Sequence, residues 1–213
     1  MHRAESAHGG PVILKLADKH EVEVLQRLHA NQLTKQTRII PVLDVICGRL
    51  MVLPQRTPLS HFLETPASVD NVGELALQFL EGVAHLQHSS VAHLDLKLDN
   101  IVVRREPFTK KMDLAIIGFN CAVFADAEPT ISGYIGTAGW SAPEVSSKKA
   151  YDPLLADRWS CGRVLMIFTD RMEPSWLRES LRILSRQLMN PNPSQRPPVP
   201  DATLLRLQAM EER

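Results

Sequence analysis

At 213 residues the chain is long enough to bury a proper core, as one large domain or as two small lobes. Lysine plus arginine number 24 and aspartate plus glutamate 24, a balance that argues against broad electrostatic binding to nucleic acid or to an anionic membrane. Cys47, Cys121 and Cys161 are scattered and odd in number, which supports neither a disulfide framework nor a C-x-x-C metal site and fits a reduced, intracellular, cytoplasmic setting. The opening "MHRAESAHGG" lacks the apolar core of a secretory signal. The longest apolar stretch, "IIPVLDVICGRLMVLP", is interrupted by Asp44 and Arg49, so no membrane span is expected.

In chain order, "PVILKL" is aliphatic and β-branched and reads as a strand. The pattern then changes to a helical period over "ADKHEVEVLQRLH", with Asp18 as a good N-cap, Glu21 three residues on, and Leu25 and Leu28 sharing a face with Glu21. "IIPVLDVI" and "RLMVLP", separated by Cys47-Gly48, read as two strands with a tight connection, so residues 1–54 form a β-α-β-β unit. From residue 55 the chain turns mostly helical. Val72, Leu75, Phe79, Val83 and Leu86 make a stripe at helical spacing. Short strands "NIVV" and "LAIIGF" flank the charged loop "RREPFTKKMD", and an irregular stretch runs from Asn120 to Ser141. Helices are expected over "PLLADRWSCGRVLMIFTD" and "PSWLRESLRILSRQLM", and the proline-rich "NPNPSQRPPVP" breaks the chain before a short terminal helix. No internal repeat is visible.

The stretch "HLDLKLDNIVV" carries the chemistry. With "VILK", the helix holding Glu21, "GTAGWSAPE", "DRWSCG" and "PNPSQRP" following the same order, the chain resembles the eukaryotic protein-kinase superfamily from about residue 11 to residue 205. The resemblance implies an α+β, two-lobe fold: a small, incomplete, β-rich N-lobe over residues 1–54 and a larger, mainly helical C-lobe over residues 55–213, together one kinase domain. It implies ATP and Mg2+ as cofactors, a protein as substrate or partner, and a Ser/Thr-type catalytic loop.

Phosphoryl transfer needs a hydroxyl placed in line with the γ-phosphate and charge neutralised as it develops, and the residue types fit that need. By resemblance Asp95 orients the hydroxyl and accepts its proton, Lys97 touches the γ-phosphate, and Asn100 holds a magnesium ion. Lys15 contacts the α- and β-phosphates and pairs with Glu21, although the segment between them is short and Glu21 can instead bond to the helix cap. Glu144 is expected to pair with Arg196, Asp157 to accept hydrogen bonds from the catalytic-loop backbone, Thr137 to bond the catalytic aspartate, and His93 and Phe119 to stack beneath Leu25. Thr130 and Ser132 read as ordinary polar loop residues.

Four departures set this chain apart from the pattern. Gly118 of "IIGFN" stands where the family keeps a magnesium-chelating aspartate, and Asp113 lies five residues away, about 16 Å along a strand at ~3.3 Å per residue. Only fourteen residues precede Lys15, room for one strand and no glycine-rich phosphate loop. Ile13 replaces the alanine above the adenine ring, and Leu94 replaces the arginine that anchors an activation-loop phosphate. Three readings therefore stay open: a Ser/Thr-type kinase with a weakened nucleotide site, a pseudokinase acting as a binding or scaffold module, and a truncated relative of a longer kinase.

Overall fold

The computed structural model describes residues 2–5, 11–31, 37–68, 70–106, 108–147, 149–200, 202 and 205. Gly9 and Gly10, and nearly all of the expected terminal helix, lie outside the described residues.

Strand β1 (His2–Glu5) lies antiparallel to β2 (Pro11–Leu16), which pairs with β4 (Leu50–Pro54) and through it with β3 (Asp44–Ile46), giving a four-stranded sheet of order β1-β2-β4-β3. Register places Lys15 opposite Met51 and Ile13 opposite Leu53. Between β2 and β3 runs helix α1 (Lys19–Ala30). Asp18 caps it, its carboxylate accepting from the Glu21 N–H at 2.7 Å, and the helix buries Val22, Val24, Leu25 and Leu28.

One expected strand is mostly something else. Of "IIPVLDVI" only Asp44–Ile46 joins the sheet. Pro41 has no N–H to give a ladder, and the preceding residues bond elsewhere: Ile116 N–H donates to the Arg38 carbonyl at 2.8 Å, and Ile40 N–H to the Ile116 carbonyl at 3.1 Å. The run is a strand only at its end; Ile39 and Ile40, 4 % and 3 % exposed, lie in a chain crossing instead.

A short strand β5 (Thr57–Pro58) leads into α2 (Leu59–Phe62), and α3 (Val72–His88) then runs through the core with every member of the predicted stripe buried. Beyond it come β6 (Val91–Ala92), the hairpin of β7 (Ile101–Arg105) and β8 (Met112–Ile116), and β9 (Val123–Phe124), which pairs back onto β6. The hairpin strands take in both ends of the predicted charged loop, so Arg104, Arg105, Met112 and Asp113 are strand residues. Helices α4 (Pro153–Thr169) and α5 (Trp176–Leu188) start at Asp152 and Ser175, whose side chains accept from the first-turn N–H groups. The two helices pack at close range at Gly162, where a Cβ would meet the Ser185 carbonyl oxygen at 2.8 Å. Among the described residues no helix is long and apolar enough to cross a membrane.

The core is continuous from Leu25, Leu28 and Met51 through Phe79, Phe119 and Ile101 to Phe168 and Leu188. A smaller cluster of Ala92, Leu94, Ala142, Val145, Tyr151 and Ala156 lies beside it.

Candidate active site

β6 ends at Ala92, and the chain bends sharply into His93 and Leu94. Leu94 adopts a left-handed backbone, φ 62°, which side chains other than glycine and asparagine disfavour. Two features hold it there. The buried Asp157 carboxylate accepts from the His93 N–H at 2.5 Å and from the Leu94 N–H at 2.8 Å, and the Leu94 side chain is 5 % exposed. Burial pushes the Asp157 carboxyl up to about 7 against those two donors, and burial holds the His93 imidazole down at about 4. Neutral His93 donates from Nε2 to the Ile117 carbonyl at 2.9 Å and accepts the Asp95 N–H at Nδ1, 3.2 Å. Its ring stacks on Phe119 with centroids 4.8 Å apart, both side chains fully buried.

Beyond this turn both carboxylate oxygens of Asp95 are occupied. Oδ1 accepts from Thr137 Oγ1 at 2.6 Å; Oδ2 accepts from Lys97 Nζ and from Asn100 Nδ2, each at 2.8 Å. Lys97 also reaches Thr137 Oγ1 at 2.6 Å. Partial burial pushes the Asp95 carboxyl up, but the bonds from Lys97 and Thr137, with the Lys97 charge and Asn100, outweigh it and hold the group below the ordinary aspartate range. Asp95 is thus ionised at neutral pH.

Lys15 Nζ meets Glu21 Oε1 at 2.5 Å, with side-chain exposures of 17 % and 3 %. The two sequence expectations for Glu21 hold together: its N–H bonds the Asp18 cap while its carboxylate reaches both Lys15 and the Phe119 N–H, the latter at 3.1 Å. A short connection is therefore compatible with the pair, because the first turn of α1 already faces β2.

Position 118 differs. Gly118 has φ 83° and ψ 48°, and a Cβ built there would lie 2.7 Å from Asn100 Oδ1 and 2.9 Å from Asn100 Cγ. The Asn100 amide leans into the space a side chain at 118 would need. Asp113 is equally unsuited as a substitute. It binds Arg38 at 3.0 Å, Arg56 at 2.9 Å and Arg104 at 3.6 Å behind the site. A cavity of about 960 Å³ opens over Arg38, Arg56 and Asp113, and none of Lys15, Asp95, Lys97 or Asn100 lines it. The arginine hub gave no signal in the sequence, since its members are spread over 75 residues in ordinary surface-like contexts.

The activation segment is docked. Ile131 and Tyr151 exchange backbone hydrogen bonds at 3.0 and 2.8 Å, the Tyr151 hydroxyl donates to the Gly133 carbonyl at 3.2 Å, and Ile131 and Ile135 pack on the cluster around Leu94. Aliphatic contact thus stands where the departure from the family pattern removed an arginine. Further on, Arg196 grips Glu144 bidentately at 2.6 and 2.8 Å, its own side chain fully buried.

A strand lysine paired to a helix glutamate, joined through Phe119 and Gly118 to an aspartate, lysine and asparagine on one loop, is the arrangement of a kinase-like fold. The chain matches the protein kinase domain model over residues 15–203 and belongs to that family. It is 32 % identical over 123 residues to the serine/threonine-protein kinase SAPK4 of Oryza sativa subsp. japonica, covering 54 % of this chain and 33 % of that protein. It is 31 % identical over 140 residues to the serine/threonine-protein kinase ppk8 of Schizosaccharomyces pombe, covering 61 % and 26 %. To the serine/threonine-protein kinase SRK2A of Physcomitrium patens it is 32 % identical over 123 residues, covering 54 % and 34 %. The chain thus spans about a third or less of the length of these relatives.

The family uses ATP with Mg2+, and the two fit this site unequally. Lys15, held by Glu21, offers a cation for phosphate oxygens. A magnesium ion prefers one or two carboxylates in octahedral geometry besides phosphate. Here the donors are the neutral Asn100 amide and Asp95, whose oxygens already accept three hydrogen bonds. Among the described residues no three histidine, cysteine, aspartate or glutamate side chains gather as a metal site. The metal half does not fit.

Proposed function

We propose that the chain is a Ser/Thr-type protein-kinase domain with a weakened nucleotide site, transferring the γ-phosphoryl group of ATP to protein hydroxyls at a much reduced rate. One observation carries this reading: Asp95, Lys97, Asn100 and Thr137 form a hydrogen-bonded set joined through Gly118 and Phe119 to the Lys15–Glu21 pair. In it, residues 1–54 supply the nucleotide-facing lobe and residues 55–213 the catalytic loop and activation segment. ATP, once bound, supplies the phosphoryl group. Asp95, ionised, orients a serine or threonine hydroxyl and draws its proton; Lys97 turns from Asp95 toward the transferred group; Lys15 holds the α- and β-phosphates; Asn100 offers the remaining neutral oxygen.

Each ~1.4 kcal/mol of lost transition-state stabilisation is tenfold in rate, so a missing metal ligand lowers turnover by orders of magnitude. A second reading, a pseudokinase binding module, is favoured by the close approach of Asn100 to Gly118, which closes the place of the usual carboxylate. Calorimetric titration with ATP, with and without magnesium, separates the two. Binding that is weak, little changed by magnesium and abolished by Lys15→Ala is the expected result. Absence of binding in a folded sample turns the assignment to the pseudokinase. Tight, magnesium-dependent binding overturns the weakened site itself.

A further inference from the structure

His20 and Arg27 lie on one face of α1, two turns apart, and both address the same short stretch beyond the catalytic cleft. His20 Nε2 donates to the Ala122 carbonyl at 2.6 Å, and its ring meets Phe124 edge-on with centroids 5.6 Å apart. The Arg27 guanidinium carbon lies 4.8 Å from the centre of the same Phe124 ring. Its terminal nitrogens hold the Asp126 carboxylate at 3.2 and 2.6 Å. A backbone hydrogen bond, a cation–π contact and a bidentate ion pair thus converge on residues 122–126.

The far side of that stretch is fixed. Phe124 pairs with Val91 and Val123 with Ala92, and the Ala125 N–H donates to the Ser90 carbonyl at 2.8 Å. β6 then runs directly into His93 and Asp95. So one face of α1 is fastened to the strand pair that begins the catalytic loop, while its first turn holds Glu21 between Lys15 and the Phe119 N–H. The Glu21 side chain is 3 % exposed, so losing Lys15 leaves a buried carboxylate short of a partner, at a cost in stability.

We propose that Arg27 and His20 are positioning residues: their grip on residues 122–126 sets the depth of α1 at which Glu21 reaches Lys15. Displacing that stretch separates the Lys15–Glu21 pair, with no phosphate on the activation segment involved. The consequence for nucleotide rests on the reading of Lys15 given above; the coupling itself does not.

The test reads Lys15 directly, in the full chain without nucleotide. Acetylation by an amine-reactive ester is followed by peptide mass spectrometry, with the exposed Lys110 as internal reference. Arg27→Glu and Asp126→Arg are each expected to raise Lys15 labelling about two- to fivefold, the scale of an exposed ion pair with a cation–π contact, and the double reversal to return it towards wild type. Hydrogen exchange at the Phe119 amide moves in the same order. Singles that leave Lys15 labelling unchanged overturn the proposal, and so does a double reversal that fails to restore it, since damage to the helix alone is not repaired by swapping charges. Should a reversal fail to fold, Arg27→Gln, Asp126→Asn and wild type in about 1 M salt replace it, each expected to raise labelling through a lost or screened pair and each overturning the proposal if it does not. Restored labelling in a chain that binds no ATP keeps the coupling and removes only the nucleotide reading.

Discussion

Residues 93–100 and residues 117–120 lie against each other, joined by the His93–Ile117 bond and by the Ile117 N–H on the Asn100 carbonyl at 2.9 Å, yet they are held by different means. In the first stretch backbone and side-chain groups alike have named partners, from the Asp157 carboxylate under the turn to the three donors on Asp95. In the second, a left-handed glycine leaves a gap that the amide of Asn100 leans into. Over-determination on one side preserves a geometry independently of any ligand. On the other, a single small residue leaves room that the Asn100 amide occupies, so a carboxylate placed at 118 has first to displace that amide.

The sharpest way to break the first half is Asp157→Ala. It strands the His93 and Leu94 N–H groups in a buried site and leaves the φ 62° turn without its anchor. A loss of about 2–5 kcal/mol in urea unfolding is expected, from two unsatisfied buried donors. A loss under 1 kcal/mol would show that the turn is held by packing of Leu94 instead.

Next comes Gly118→Asp, which tests the second half. The left-handed backbone and the 2.7 Å approach of Asn100 predict a stability cost of about 1–3 kcal/mol. They also predict no gain in magnesium-dependent ATP binding by calorimetry. A clear gain would mean that the amide yields easily and that only a carboxylate was missing.

The smallest effect is a pH slope. His93, at about 4 in the folded chain against an ordinary value near 6.5, favours folding above 6.5 and loses that contribution as pH falls towards 4. Asp157, at about 7 against an ordinary value near 3.9, favours folding below 3.9 and loses that contribution as pH rises towards 7. Between roughly pH 4 and 6.5 the two slopes oppose and largely cancel. His93→Phe removes one of them, so its unfolding free energy should fall with rising pH across that window by roughly 1 kcal/mol per unit relative to wild type. A slope unchanged from wild type in thermal or urea unfolding would mean that His93 titrates at its ordinary value despite its burial.

Local chemistry made much of this legible in the sequence. The helical stripe from Val72 to Leu86 and the capping by Asp18 follow from spacing alone, and the Asp95, Lys97 and Asn100 set follows from the resemblance of "HLDLKLDN" to the kinase catalytic loop. The Lys15–Glu21 contact was foreseeable as a pair but not as a geometry, because the cap and the ion pair use different atoms of Glu21. What stayed hidden was long-range and polar. Arg27 and Asp126 are 99 residues apart, and nothing in either neighbourhood marks a partner. Asp113 is one acid in a charged run, and its three arginines come from separate segments. The misread strand at Ile39–Leu43 fails for a related reason: aliphatic composition reports burial, whereas the partner of a backbone N–H is set by where the chain crosses.

The aliphatic seat of the activation segment has a thermal consequence. A segment pinned through arginine and phosphate loosens with salt, whereas one resting on Leu94, Ile131, Ile135 and Tyr151 depends on apolar contact, which weakens on cooling. Cooling is therefore expected to weaken the apolar part of this seat.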